Sequence, residues 1–468
     1  MRLLTQFESF LRVFLIIWLG ALTFLPGASA QQATPETEKN HSPAIKQDSL
    51  GAADEVLKQV SGLIKLPLRS PLKKSLRSRA EIRDYILKQM KEEKPAEERH
   101  ASERAVVAFG LVPKDFQMEP FLVELLTEQI AGLYDPEAQE FYIADWIPLE
   151  DQRMVMAHEL AHALEDQHFQ IKKWLKAAQP NDDGELARQA VLEGSATAAM
   201  IDYLLQGAGK SLKDLPDLDP ALLVGSLGDT PTLKKAPRFI KDALIFPYFG
   251  GLQFSKDFLA QSGWEGLRGV FEKPPLSTQQ ILHPELYRAG RKPAAMELAV
   301  DTAVVKGEWK QLIDNTLGEF GWKEVLQEAL SRERAAEIAK GWVGDRYILL
   351  EEKNSKTLLL VYRVRWSDPA ETEKFFVDYA ELLGKKHEKK EKESRGPEFL
   401  SFESSDGGVI LRCVAVDCLV VEGGTRKFFD DVSKRIGWAA APRGEEATAQ
   451  DATPGAKKPA PAKAAKPN

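Results

Sequence analysis

The sequence predicts an α+β protein in which a mainly helical domain with one short strand hairpin is followed by a small α+β sheet domain. Two long helices are expected in the first part of the chain, at about 150–169 and 185–205. Beyond residue 345, short runs rich in β-branched and aromatic residues flank one amphipathic segment, which predicts strands packed against a helix. The 468 residues, 43% of them hydrophobic, are enough for two domains with sizeable cores.

The first thirty residues follow the pattern of a secretory signal peptide. Arg2 and Arg12 supply positive charge, residues 13–25 form an apolar run, and residues 28–30, Ala-Ser-Ala, are a cleavage site of the A-x-A type. The apolar run is too short to cross a bilayer comfortably. We therefore expect cleavage after Ala30 and an exported protein, periplasmic or extracellular, that keeps no stable membrane span. An uncleaved anchor is the alternative.

Polar segments flank the part of the chain that we expect to fold. Residues 31–50 carry two prolines among polar side chains and predict a disordered linker, and the Ala/Pro/Lys-rich residues 441–468 predict a disordered tail. Between them we expect one domain over 51–335 and a second over 340–440. The net charge is −7 and no strongly basic stretch is interleaved with aromatic residues, so nucleic acid is not an expected partner.

In the first domain, a strand hairpin is expected before the two long helices. Residues 131–136 and 139–144 are predicted to be short strands joined by a turn that contains proline. Pro148 precedes a helix expected from about Glu150 to Phe169. The sequence Asn-Asp-Asp-Gly at 181–184 is a loop and cap signal for a helix expected over 185–205.

The second domain is predicted to contain five strands and two helices. The expected strands are 346–351, 357–366, 398–403, 408–414 and 418–422, and the expected helices are 369–386 and 425–436. Cys413 and Cys418, the only cysteines, lie on either side of a predicted tight hairpin. Opposed cysteines on adjacent strands could form a disulfide in an exported protein, and two reduced, buried thiols are the alternative.

The most specific feature is His158-Glu159-Leu160-Ala161-His162, an H-E-x-x-H motif in the first long helix. Two imidazoles four residues apart lie on one face of a helix, so both can reach one metal ion, and the glutamate can reach a water on that ion. This spacing is typical of a zinc hydrolase. Because the flanking residues are apolar nearly all round, the helix is predicted to be buried, where two histidines and a glutamate need partners. The alternative is a pair of helix histidines that pack or face solvent.

A catalytic zinc usually has three protein ligands, and the sequence offers three sources for the third one. Glu193 lies in a small, apolar stretch of the second long helix, where a charged group is costly unless it is paired. His168 follows His158 by ten residues, but position 165 is glutamate rather than a glycine that would turn the chain, so a continuing helix points His168 elsewhere. A carboxylate from Asp182 or Asp183 is the third source.

Three segments resemble one family of proteins. Residues 158–169 read His-Glu-Leu-Ala-His-Ala-Leu-Glu-Asp-Gln-His-Phe, residues 193–197 read Glu-Gly-Ser-Ala-Thr, and residues 274–284 read Pro-Pro-Leu-Ser-Thr-Gln-Gln-Ile-Leu-His-Pro. They resemble a family of exported bacterial proteins of uncharacterised function that share a gluzincin-like zinc site. The resemblance covers roughly residues 50–330. It implies a zincin-like, peptidase-like fold in which a second helix delivers a carboxylate to the metal, and it implies no substrate.

The expected activity is that of an exported zinc metallopeptidase. With Zn²⁺ held by His158, His162 and Glu193, we expect Glu159 to act as the general base on an attacking water and to pass the proton to the leaving amine of a peptide or protein substrate. A further donor is needed for the oxyanion. His283 is the preferred donor, and the other candidates are Tyr248 and Tyr134.

Supporting roles follow from spacing. Asp166 lies one turn after His162 and could orient that imidazole, and Thr197 could act similarly one turn after Glu193. The predicted strand at 140–144 could align an extended peptide by strand addition. Two other functions remain open: a non-catalytic zinc-binding envelope or scaffold protein on the same fold, and a zinc hydrolase of a non-peptide amide or ester.

Overall fold

The computed structural model describes residues 43–93, 95–129, 132–216, 231–387 and 390–439. The predicted signal peptide and the predicted tail, 441–468, lie outside the described residues, as does the predicted linker up to residue 42. The remainder of that linker is not disordered, because the first helix, α1 (Pro43–Ile64), already includes it. The apolar face of this helix, which carries Ala53, Val56 and Val60, is fully buried.

A small three-stranded sheet lies before the first long helix. The strands β2 (Gly132–Asp135) and β3 (Glu140–Ala144) form the expected antiparallel hairpin. A strand that the sequence did not reveal, β1 (Lys73–Arg77), pairs in parallel with the other edge of β3. Its Lys-Lys-Ser-Leu-Arg sequence has no apolar alternation, so periodicity gave no signal. The remaining helices of this region are α2 (Arg79–Glu93), α3 (Ala96–Ala108) and α4 (Met118–Gln129).

Two long helices form the centre of the helical part, as predicted. They are α5 (Leu149–Phe169) and α7 (Asp182–Leu205), with the short α6 (Ile171–Lys176) between them. Helix α5 continues past Glu165 and ends where Gln170 adopts a left-handed conformation, with φ 53°. The side chain of Asn181 accepts a hydrogen bond from the backbone N–H of Gly184 at 3.0 Å, which confirms the predicted cap of α7.

A third long helix crosses α7 at a pair of glycines. The helices that follow α7 are α8 (Pro231–Lys235), α9 (Arg238–Glu272), α10 (Thr278–Leu282) and α11 (Pro284–Arg288). A Cβ atom on Gly194 would lie 2.1 Å from the carbonyl carbon of Gly251, and one on Gly251 would lie 1.8 Å from the carbonyl oxygen of Ala190. Glycine at both positions therefore allows the backbones of α7 and α9 to touch.

The C-terminal part is built on a seven-stranded sheet in which every neighbouring pair is antiparallel. In spatial order the strands are β4 (Trp309–Asn315), β5 (Trp342–Glu352), β6 (Leu358–Trp366), β10 (Asp417–Gly424), β9 (Gly407–Val414), β8 (Phe399–Ser404) and β7 (Glu391–Gly396). The helices are α12 (Gly318–Leu326), α13 (Arg332–Ala339), α14 (Pro369–Lys386) and α15 (Arg426–Arg435). The five predicted strands and both predicted helices are confirmed.

The edge strand β4 corrects the predicted domain boundary. Strand β4 precedes the expected division at 335–340, yet it pairs with β5 and belongs to the second sheet. Both β4 and β7 are edge strands with many polar, exposed side chains, so neither shows the alternation that marks a half-buried strand. A single cluster of buried side chains also runs from α1 to β10, so the helical part and the sheet share one hydrophobic core.

Two further expectations concern the setting of the protein. Cys413 and Cys418 face each other on β9 and β10 and are joined by a disulfide, which confirms the predicted pairing and is compatible with export. Among the described residues, none of the helices combines the length and the apolar character that crossing a membrane requires.

Candidate metal centre

Three nitrogen and oxygen atoms from α5 and α7 converge on one buried point. The Nε2 atoms of His158 and His162 are 3.0 Å apart. The Oε2 atom of Glu193 lies 3.2 Å from Nε2 of His158 and 3.4 Å from Nε2 of His162. All three side chains are more than 90% buried. The structure thus brings together the three residues that the sequence had singled out as ligands.

The spacing of these atoms fits a small tetrahedral ion. Zinc binds nitrogen and carboxylate oxygen at about 2.0–2.1 Å, so two ligand atoms of a regular tetrahedron are about 3.3–3.4 Å apart. The three distances, 3.0, 3.2 and 3.4 Å, lie close to that value. Two imidazoles and one carboxylate are also a donor set that zinc uses in catalytic sites. The residues present therefore fit a metal ion.

Glu159 stands beside the same point but is held differently. Its carboxylate belongs with both histidines to a group of possible ligand atoms that lie within 4.8 Å of one another. Its Oε2 accepts a hydrogen bond of 2.5 Å from the backbone N–H of Tyr134 on β2. Glu193 therefore lies against both histidine nitrogens, whereas Glu159 is hydrogen-bonded to the backbone of β2.

Burial and neighbouring charges set the protonation of the four groups. Burial lowers the pKa of His158 and raises the pKa of Glu159 to about 7. Burial also disfavours the charged forms of His162 and Glu193, but the attraction between them outweighs it, so the pKa of His162 is raised and that of Glu193 is lowered. A neutral His158 and an ionised Glu193 are ready to bind a metal, whereas His162 has to release a proton first.

The close crossing of α7 and α9 places a tyrosine at this point. Tyr248 lies one turn before Gly251, is 97% buried, and stacks on the ring of His158 with centroids 6.0 Å apart. Burial and the charges of Glu193 and Glu159 raise the pKa of Tyr248 well above its ordinary value, and its hydroxyl interacts with Glu193. Tyr248 therefore keeps its proton and is a hydrogen-bond donor at the centre.

The carboxylates near the motif have different partners from those expected. Asp166 does not contact an imidazole: it accepts hydrogen bonds from the hydroxyl of Tyr134 at 2.8 Å and from the backbone N–H of Ile171 at 2.9 Å. The carboxylate next to an imidazole is that of Glu165, whose Oε2 lies 3.3 Å from Nδ1 of His162. On the other side, Nε2 of Gln189 donates to Oε1 of Glu193 at 2.7 Å. Neither Glu165 nor Gln189 was predicted from the sequence to support a ligand.

Several other candidates have contacts away from the centre. Nε2 of His168 lies 2.8 Å from the carbonyl oxygen of Pro67, on the side of α5 that its six-residue offset from His162 had predicted. Thr197 is buried, and its hydroxyl makes no hydrogen bond within the described residues. Asp182 and Asp183 are at the first turn of α7, and Asp183 lies about 15 Å along that helix from Glu193, at 1.5 Å per residue.

His283, the preferred oxyanion donor, belongs to a different group of residues. Its Nε2 lies 2.8 Å from Oε1 of Glu319 on α12, and Glu285 and Lys340 are further charged neighbours. The segment that precedes it is fixed to the start of α7, because Thr278 donates to Asp183 through both its backbone N–H and its hydroxyl. These partners lie outside the group of residues around His158, whereas Tyr248, another predicted donor, stacks on His158.

The strand proposed for peptide alignment is not an edge strand. Residues 140–144 form β3, which has β1 on one side and β2 on the other, so its hydrogen-bonding groups are occupied. Strand β2 is one of the two edge strands of this sheet and contacts Glu159 through the backbone N–H of Tyr134. Strand addition at 140–144 is therefore excluded by the pairing, and β2 is the strand that borders the metal centre.

Comparison with known proteins assigns no activity. One family profile, described as a domain of unknown function (DUF8575), matches residues 310–433, which is the segment from β4 to α15 and does not include the metal centre. No curated protein and no solved structure matched the chain.

Proposed function

We propose that the protein is an exported zinc-dependent metallopeptidase. The observation that carries the proposal is the convergence of Nε2 of His158, Nε2 of His162 and Oε2 of Glu193 at mutual distances of 3.0 to 3.4 Å, with Glu159 adjacent. Zinc in this position supplies a Lewis acid for water activation and for polarising a carbonyl group. The disulfide between Cys413 and Cys418 supports export.

The roles of the surrounding residues follow from their contacts. Glu159 has one carboxylate oxygen on the backbone of β2, and its pKa of about 7 suits a group that takes a proton from water and returns it to a leaving amine. The hydroxyl of Tyr248 can donate a hydrogen bond to the carbonyl oxygen of the substrate as negative charge develops there. Gln189 holds Oε1 of Glu193 and so keeps Oε2 directed at the histidines.

The decisive experiment replaces Glu159 by glutamine in the full chain. Glu159→Gln keeps the size of the side chain and an acceptor for Tyr134 but removes the base, so we expect unchanged zinc content and a loss of peptide hydrolysis of at least ~10²-fold. Zinc would be measured by elemental analysis, and cleavage of a mixed peptide library by mass spectrometry. The matched control is Glu185→Gln, an equally buried glutamate two turns before Glu193 on α7.

Each alternative function predicts a different result. Absence of zinc from the wild-type protein, or full activity of Glu159→Gln, overturns the proposal. Zinc binding without cleavage of any peptide, ester or non-peptide amide favours a scaffold protein. Cleavage of esters or non-peptide amides without cleavage of peptides favours a zinc hydrolase of non-peptide substrates, in which Glu159 has the same role as base.

A further inference from the structure

We propose that Glu165 and Ser195 form a positioning pair that fixes His162 for metal binding. Glu165 lies three residues after His162 on α5 and is 99% buried. One side of its carboxylate lies 3.3 Å from Nδ1 of His162, and the carboxylate also interacts with the hydroxyl of Ser195 on α7. This inference rests on the metal binding proposed above, and it concerns residues for which the sequence gave no expectation.

The two nitrogens of His162 are thereby given separate tasks. Nε2 lies within 3.4 Å of both Nε2 of His158 and Oε2 of Glu193, so it is the nitrogen that faces the metal position. A ligating imidazole carries its proton on the other nitrogen, and a carboxylate at that nitrogen fixes both the tautomer and the plane of the ring. Glu165 is the carboxylate at Nδ1, so it orients His162 and makes it a stronger electron donor.

The burial of Glu165 supports a functional reading. A carboxylate removed from water destabilises the fold unless it is paired. The carboxylate of Glu165 contacts the ring of His162 and the hydroxyl of Ser195. Within the described residues, no Lys or Arg forms a salt bridge with it. A buried carboxylate that lies against a ligand histidine and a serine hydroxyl is accounted for by the metal site rather than by structural ion pairing.

Asp166 cannot perform this task although it is the next residue. Its two oxygens are occupied by the hydroxyl of Tyr134 and by the backbone N–H of Ile171, and these contacts tie β2 and the start of α6 to the end of α5. Asp166 is therefore a structural residue of similar burial, and this makes it a suitable comparison for Glu165.

Helix α7 contacts ligands on both sides of the metal position. Ser195 lies two residues after Glu193 and Gln189 lies one turn before it. Helix α7 thus supplies one ligand, supports that ligand through Gln189, and supports a ligand of α5 through Ser195 and Glu165. Loss of Ser195 is expected to weaken metal binding even though its side chain does not face the metal.

The test measures zinc affinity in the full chain by competition with a chromophoric chelator. We expect zinc binding to weaken ~10- to 100-fold in Glu165→Gln and by a smaller factor in Ser195→Ala. Because both act on one imidazole, the double variant should bind no more weakly than Glu165→Gln alone. The absorption spectrum of the Co²⁺-substituted protein should also shift in Glu165→Gln, a change that a purely structural role would not produce.

Asp166→Asn is the control and should keep zinc affinity within about threefold of the wild type, whatever its effect on thermal stability. If Glu165→Gln does not fold, Ser195→Ala and its Co²⁺ spectrum decide the question. Wild-type affinity in both Glu165→Gln and Ser195→Ala overturns the positioning role while leaving the proposed function intact. A wild-type protein that binds no zinc overturns both.

Discussion

Replacing Asp183 by asparagine should stabilise the protein in a way that depends on pH. Asp183 is 99% buried at the first turn of α7. Its Oδ1 accepts hydrogen bonds from the backbone N–H and the hydroxyl of Thr278, while Oδ2 has no hydrogen-bond partner within the described residues. Asparagine keeps the acceptor for Thr278 and places a neutral amide where the second oxygen was. Fold and contacts should therefore be conserved while the ionisable group is removed.

The magnitude follows from the pKa of the carboxyl. Burial, with a further contribution from Asp345 and Glu319, raises the pKa of Asp183 from 3.8 to about 8. Well below pH 4 the Asp183 carboxyl is protonated in both the folded and the unfolded chain, and its ionisation does not affect stability. Between pH 4 and 8 the unfolded chain loses this proton while the folded chain keeps it, so stability declines as the pH rises. At ~1.4 kcal/mol per pKa unit the upper bound is about 6 kcal/mol, and we expect about 2–4 kcal/mol after local relaxation.

The assay is urea unfolding followed by tryptophan fluorescence at pH 4.5 and pH 8.5. The free energy of unfolding of Asp183→Asn should exceed that of the wild type by only about 1 kcal/mol at pH 4.5 and by about 2–4 kcal/mol at pH 8.5. Asp115→Asn, a change at an exposed position, should differ from the wild type by less than ~0.5 kcal/mol at both pH values. A difference between Asp183→Asn and the wild type that does not vary with pH would refute the reasoning.

Two further predictions concern the metal centre. Glu193→Ala should lose zinc on dialysis whereas His168→Ala should retain it, because His168 contacts Pro67 and not the metal position. Elemental analysis of the two variants checks this prediction. Zinc loss from His168→Ala alone would contradict it. Tyr248→Phe keeps the stacking on His158 but lacks the hydroxyl, so kcat should fall ~10²-fold while zinc content stays at the wild-type level. Steady-state kinetics check the second prediction, and an unchanged kcat would show that the Tyr248 hydroxyl does not stabilise the oxyanion.

Much of the fold was predictable wherever an element is buried along most of its length. Helices α5 and α7, the β2–β3 hairpin and the inner strands of the large sheet carry runs of buried apolar residues that mark them in the sequence. Strands β1, β4 and β7 were missed because they lie at sheet edges, where few side chains are fully buried and most need not be apolar. The domain boundary was misplaced for the same reason, since β4 is the first strand of the large sheet.

The sequence by itself determined that His158 and His162 share one face of a helix, because a four-residue spacing on a helix allows no other arrangement. It also marked Glu193 as a charge that needs a partner, since it lies among small apolar residues. Glu165 and Asp166 follow His162 by three and four residues, and both spacings place a side chain near the imidazole. Only the tertiary structure decided between them. The hydroxyl of Tyr134 on β2 donates a hydrogen bond to Asp166, whereas Glu165 contacts both Ser195 of α7 and the imidazole of His162. A pattern within one helix fixes its faces, but the neighbouring elements that pack against each face decide which side chain has which partner.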